Sequence, residues 1–194
     1  VGYQQTEFFI EGTASAFTNV SELGSDGFWA LEPAEQAAYK TRIVVYSPVD
    51  PADFNGIVQM EWLNVTAGFE TPPSWGTGQL EMRRGGSVWV GVSAQLIGIE
   101  GSDRGLLPLH LKAVDLARYG SLFHPGDSFS YDMFSQVANA IRNPGAIDVL
   151  GGLTAEYIIA YGESQSAGRL VTYVNGLQPL YGTFDGYMIH SRGD

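Results

Sequence analysis

Apolar and polar positions change their period along this chain, and each change marks an element. Thr41 to Val49 (TRIVVYSPV) is β-branched and aromatic and stops at Pro51, which predicts a strand. The turn signal Asp53-Phe54-Asn55-Gly56 leads into a second strand, Gly56 to Val65 (GIVQMEWLNV). Ser87 to Ser93 (SVWVGVS) has a continuous apolar centre, the pattern of a strand buried on both faces of a parallel sheet. Glu156 to Tyr161 (EYIIAY) and Phe184 to His190 (FDGYMIH) are further strands. Helical signals lie between them. Pro72-Pro73 suits a helix start, with Trp75 to Arg84 as body and Gly85-Gly86 as stop. In Tyr131 to Arg142, Phe134, Val137, Ala138 and Ile141 recur at i, i+3, i+4, i+7. Asp127, Ser128 or Ser130 is the expected cap of that helix, and Asn143-Pro144 its end. Leu170, Val171, Val174 and Leu177 form one stripe of a helix over Ser164 to Leu177.

The remaining segments are less periodic. Glu7 to Glu11 reads as a short strand, and Pro33 to Lys40 (PAEQAAYK) as a short helix with proline near its start. Val88 to Ile99 is the longest apolar-rich stretch. It carries Ser93 and Gln95, falls short of a membrane span, and reads as a buried strand followed by a loop. Residues 100 to 130 read as loop with one short helix near Leu111 to Tyr119. Strands alternating with helices predict an α/β fold, a three-layer αβα sandwich around a mostly parallel sheet. Each connection is long enough for a right-handed crossover. No repeat or linker interrupts the pattern, so residues 1–194 read as a single domain.

Composition narrows the function. Hydrophobic residues at 44% against charged residues at 16% exclude wholesale disorder. A net charge of −11 opposes general nucleic-acid binding and attraction to an anionic membrane surface. The absence of cysteine excludes a disulfide scaffold, a thiolate metal site and a cysteine nucleophile. Three scattered histidines have no metal-ligand spacing, and no glycine-rich phosphate loop follows a strand, so no cofactor is expected. The chain opens at Val1 without methionine or a leader pattern. That suggests an upstream segment was removed or that the numbering starts inside a longer chain, and it leans toward a secreted or periplasmic protein.

One turn carries the chemistry. The apolar strand over Tyr157 to Tyr161 runs into Gly162-Glu163-Ser164-Gln165-Ser166, and a helix leaves it. This is a variant of the G-x-S-x-G nucleophile elbow, in which a strained serine stands clear of the sheet. Strand and helix pass close together there, so positions two before and two after the serine must be small. They are Gly162 and Ser166. Ser164 is the candidate nucleophile. At a helix N-terminus the backbone N–H of Gln165 is a candidate oxyanion donor. The competing role for Ser164 is that of a plain helix cap.

With these residues the chain resembles the α/β-hydrolases, and in particular the family called "alpha/beta hydrolase domain-containing protein". The resembling segments are Val58-Gln59-Met60-Glu61-Trp62-Leu63-Asn64-Val65, Arg118-Tyr119-Gly120-Ser121-Leu122, His124-Pro125-Gly126-Asp127, Ser130-Tyr131-Asp132-Met133-Phe134-Ser135-Gln136 and the elbow itself. The resemblance implies ester or related acyl hydrolysis of a small-molecule substrate. It also implies a second oxyanion donor in the loop after the E-W-L-N-V strand, among Asn64, Val65 and Thr66.

A serine nucleophile needs a histidine base and an acid, which in this superfamily follow it in the chain. After Ser164 stand Asp185, His190 and Asp194. Asp185 and His190 fall in or beside the next strand and read as structural, as do His110 and His124. Residues 1–194 therefore read as the N-terminal part of a larger hydrolase, with acid and histidine beyond residue 194 and that C-terminal part as a partner. Two rival readings stand beside the hydrolase: a hydrolase-like domain kept as a binding or structural module, and an acidic, aromatic-rich ligand-binding domain.

Overall fold

The computed structural model describes residues 2–103 and 107–193. Six strands form one sheet in the order β1-β2-β4-β3-β5-β6: β1 (Tyr3–Asn19), β2 (Leu31–Pro48), β3 (Ile57–Trp62), β4 (Val88–Val92), β5 (Tyr157–Glu163) and β6 (Gly186–His190). β1 and β2 run antiparallel to each other, β2 runs antiparallel to β4, and the remaining pairs are parallel. The helices are α1 (Pro73–Gly85), α2 (Leu96–Glu100), α3 (Leu111–Val114), α4 (Leu116–Tyr119), α5 (Ser130–Arg142), α6 (Gln165–Thr172) and α7 (Gln178–Tyr181). A π-helical stretch, Tyr173–Leu177, joins the last two.

Both faces of the parallel strands are covered, as the continuous apolar runs require. On one face Val58, Met60, Trp62, Val90 and Ile158 meet Phe134, Val137 and Ile141 of α5 and Leu170 of α6. On the other face Val44, Leu63 and Trp89 meet Trp75 and Met82 of α1. The expected three layers are therefore present. α1 begins at the second proline of its pair and stops at Gly86, whose φ of 80° supplies the left-handed cap.

The first forty residues differ from expectation. Pro33 to Lys40 is strand, not helix, and the short strand at Glu7 is part of one 17 residues long. β1 and β2 form an extended hairpin arm paired from Tyr3↔Pro48 to Asn19↔Leu31. An eight-residue helix is marginal on its own, and a ladder of this length outweighs the small helix preference of PAEQAAYK. Pro33 is tolerated because β2 pairs with β4 only over Ile43 to Tyr46, leaving its other edge free at residue 33. A bulge between Ser15 and Phe17 breaks the ladder, and Asp132 of α5 accepts the Ser15 N–H at 2.6 Å. Gln136 of α5 donates to the Thr13 carbonyl at 2.8 Å and accepts from the Tyr39 hydroxyl at 2.9 Å. The S-Y-D-M-F-S-Q block is thus the strap between arm and sheet.

Two smaller differences concern helix ends. Residues 96 to 100 form a turn of helix rather than loop, and the short helix near Leu111 is two single turns. No side chain caps α5. Asp127 instead accepts the Leu96 N–H at 2.8 Å and pairs with Arg169 at 2.8 Å. No helix is long and apolar enough to cross a membrane among the described residues.

Glu61 of β3 is fully buried on the α1 face. It accepts the Ser74 N–H at 2.7 Å, the Trp75 N–H at 3.0 Å and the Trp89 indole N–H at 2.9 Å. The first-turn N–H groups of a helix have no intrahelical acceptor, and Pro72 at the cap position offers none. A carboxylate from the neighbouring strand takes that place. Burial nonetheless pushes the Glu61 carboxyl above the ordinary carboxylate range, against those three donors. The folded protein therefore binds the Glu61 proton more tightly than the unfolded chain. The stability linked to it is complete below the unfolded pKa and is lost as pH rises through the folded one. Urea unfolding of the wild type and Glu61→Gln between about pH 4 and pH 7 is expected to show the wild type losing stability relative to the variant as pH rises. A difference that moves the other way would mean that the three N–H donors outweigh burial.

Candidate functional site

β5 ends at Glu163 and α6 begins at Gln165, so Ser164 alone makes the turn. Its φ of 56° and ψ of −116° lie where non-glycine residues are strained by about 1–3 kcal/mol. The strain is held from both sides. The Ser164 N–H donates to the His190 carbonyl at 3.1 Å, extending the β5–β6 ladder, and the Gly168 N–H donates to the Ser164 carbonyl at 3.3 Å. Strand and helix approach so closely that a Cβ on Gly162 would lie 2.7 Å from the Ser166 carbonyl oxygen and 2.9 Å from Leu170 Cδ1. Ser166 is fully buried on the packing side. Ser164 is exposed, and its hydroxyl makes no hydrogen bond among the described residues. It does not cap α6 with its side chain.

Around Ser164 lies a cleft of about 540 Å³ at the carboxyl ends of the parallel strands. Val65, Thr66, Gln95, Asp127, Gln165 and Arg169 line it. The N–H of Gln165 is the first of α6 and has no intrahelical acceptor. The opposite wall is the loop after β3, closed by paired bonds between Asn64 and Thr71, N–H to carbonyl at 3.0 and 2.8 Å. Asn64 also donates through Nδ2 to the Glu163 carbonyl at 3.0 Å, and its Oδ1 accepts the Thr66 N–H at 2.9 Å. Of the three expected donors in this loop, Asn64 and Thr66 therefore have their N–H groups committed. Asn64 is a brace between loop and elbow rather than a donor. The Val65 N–H has no partner among the described residues, and Val65 borders the cleft.

A buried ion pair holds the far side of this loop. Glu70 accepts from the Arg42 guanidinium at 2.8 Å and from the Ser93 hydroxyl at 2.9 Å. Burial pushes the Glu70 carboxyl up, and Arg42 opposes it. Sequence reasoning missed Glu70, Gln95, Asp127 and Arg169 as parts of this region. The available signal was the polar pair Ser93 and Gln95 interrupting an apolar run.

None of the three histidine side chains hydrogen-bonds Ser164 among the described residues. His124 is buried between two backbone groups: Nε2 lies 3.0 Å from the Ala94 carbonyl, and Nδ1 accepts the Gly126 N–H at 3.2 Å. That network assigns a neutral ring, and burial lowers its pKa. His110 stands at the start of α3 with its ring against Gly101. His190 faces a second cleft of about 470 Å³ between α1 and β6, where its Nε2 lies 3.4 Å from the Ser74 hydroxyl. That serine is helical and buried, with its N–H bound to Glu61, and no carboxylate among the described residues meets the His190 ring. Asp185 accepts the Ile158 N–H at 2.7 Å and pairs with Arg142, which makes it structural. Asp194 lies outside the described residues. No group of three or more acidic or histidine side chains fit to hold a metal occurs among the described residues.

Residues 1–194 match the family described as alpha/beta hydrolase domain, and the chain belongs to that family. No curated protein matches the sequence. Among solved structures the chain is similar to acetyl xylan esterase 1 from Thermoanaerobacterium sp. JW/SL YS485, at 13% identity and a TM-score of 0.38, covering 83% of this chain and 47% of that one. It is also similar to a CE15 glucuronoyl esterase from Teredinibacter turnerae T7901, at 13% identity and a TM-score of 0.43, covering 97% of this chain and 46% of that one. The chain spans about half the length of these two structures.

The close passage at the elbow is testable through two glycines. Gly162→Ala places a methyl group against the Ser166 carbonyl and is expected to cost about 1–3 kcal/mol in urea unfolding. Gly168→Ala, in the same helix with nothing within 4 Å of its added Cβ, is expected to be neutral or to stabilise by up to about 1 kcal/mol. Equal effects would mean that the 162 contact is not tight.

Proposed function

From membership of the alpha/beta hydrolase family, we propose that the protein is a serine hydrolase cleaving a carboxylic ester through an acyl-enzyme on Ser164. The observation that carries this reading is the backbone of Ser164: strained, at a strand-to-helix turn, with an exposed hydroxyl beside N–H groups that lack acceptors. The Ser164 oxygen attacks the acyl carbon while a base removes its proton. The carbonyl oxygen takes up the negative charge and is held by the N–H groups of Gln165 and Val65. Collapse of the tetrahedral intermediate breaks the bond to the alcohol, which leaves with the proton. Water then repeats the attack on the acyl group and frees the acid.

In this reading the base is a histidine outside residues 1–194, because no described histidine side chain hydrogen-bonds Ser164. That same observation favours a second reading, a hydrolase-like module that binds without turnover.

A fluorophosphonate probe on the whole native protein separates the two. The expected result is one adduct mapped to Ser164, absent in Ser164→Ala, with ester turnover in that variant lowered by about 10⁴-fold or more. A folded protein that takes no adduct, or takes it on another residue, would overturn the hydrolase reading and leave the binding module.

A further inference from the structure

We infer that Gln95 is a positioning residue that fixes the gap between the two oxyanion donors, a role that rests on the hydrolase reading of Ser164. Gln95 is 1% exposed, and a buried amide costs free energy unless it is hydrogen-bonded. It sits just before α2 with extended backbone and makes no capping bond there. All of its side-chain bonds lead to the two walls of the cleft. Its Nε2 donates to the Leu63 carbonyl at 3.1 Å and to the Gln165 side-chain oxygen at 3.0 Å, and its Oε1 accepts from the Gln165 amide at 2.5 Å. Leu63 is two residues before Val65, and Gln165 carries the other donor. One side chain therefore grips both sides of the hole.

The next residue is fastened to the same helix by a separate route. The Leu96 N–H donates to Asp127, whose other carboxylate oxygen pairs with Arg169 of α6. Residues 95 and 96 are thus tied to α6 twice, at Gln165 and four positions on at Arg169. Neither tie touches the Ser164 hydroxyl. Their effect is on where the N–H groups stand, not on which groups react.

Oxyanion donors act only when they stand 2.7–3.1 Å from the oxygen as its charge develops. A displacement of about 1 Å costs on the order of 100-fold in rate. Because the charge appears in the transition state, loosening the gap should lower kcat and leave KM. Gln95→Met keeps length and volume and removes every bond to both walls. In the whole native protein it is expected to lower kcat, counted per fluorophosphonate-titrated Ser164, by about 10- to 100-fold, with KM within roughly twofold of the wild type. Gln165→Met keeps its own backbone N–H and loses the amide pair with Gln95, together with a long 3.5 Å bond from the Ser166 hydroxyl. It should lower kcat in the same direction, and the double variant should be no worse than Gln95→Met. If Gln95→Met fails to fold, Gln165→Met alone still reads the effect. A wild type that labels at Ser164, with variants turning over at the wild-type rate per titrated site, would overturn the positioning role alone, even if they are less stable. A wild type that does not label overturns the role together with the hydrolase reading.

Discussion

The close passage of β5 against α6 at Gly162 is the constraint on which the rest of this structure depends. It forces the chain to reverse within one residue, and Ser164 absorbs the reversal at a φ of 56°. Such a conformation persists only if its surroundings over-determine it. Here they do. Leu170, Tyr173 and Leu177 downstream are fully buried, and each buried side chain of this size contributes about 1.5–3 kcal/mol. The π-helical stretch after α6 packs Gly176 against Leu31 of the arm, where an added Cβ would lie 2.4 Å from Leu31 Cδ1, and the Asn175 carbonyl accepts the Trp29 N–H. The Tyr173 hydroxyl meets Ser135 of α5 at 2.6 Å. The hairpin arm, α5 and the helix leaving the elbow therefore hold one another, and the strained turn is their common boundary.

Polar side chains are buried where the strands give way to loops. Glu61 closes the start of α1, Glu70 and Arg42 anchor the loop after β3, Asn64 ties that loop to Glu163, and Gln95 ties it to Gln165. Each is expensive to bury without partners, and apart from one buried Glu70 oxygen that makes no hydrogen bond among the described residues, these bonds specify one geometry rather than many. An apolar rim would supply comparable stability with less precision. The distribution suits a site in which backbone N–H groups must stand at fixed distances, since backbone cannot be aimed by a rotamer and must be aimed by what it is tied to.

The parallel core and the elbow were legible because their signals are local. Continuous apolar runs, a glycine stop at Gly86 and small residues flanking Ser164 each act within a few positions. The arm was not legible, because PAEQAAYK takes its strand conformation from partners in β1, beyond the reach of a window. Asp127 reads as a helix cap in sequence, yet its partners Leu96 and Arg169 lie 31 and 42 residues away. The same holds for Gln95, which stands out in the sequence only as a polar residue in an apolar run. The site's second wall was visible as a region. Choosing Val65 within it required knowing that the neighbouring N–H groups were already bonded.

The parts of the proposed chemistry carried by these residues are separable from the parts that are not. In that reading the serine, donors and braces are held by bonds within the described residues, and no histidine side chain takes part in them. In serine hydrolases the oxyanion hole and binding retain a catalytic effect of about 10³–10⁴ when members of the triad are removed. That residual effect depends on preorganised dipoles and not on proton transfer. In the proposed hydrolase the described residues would supply that preorganised part. In the proposed chemistry that geometry rests on the close passage at Gly162 and the ties made by Asn64 and Gln95, and a base would act from the exposed side of Ser164.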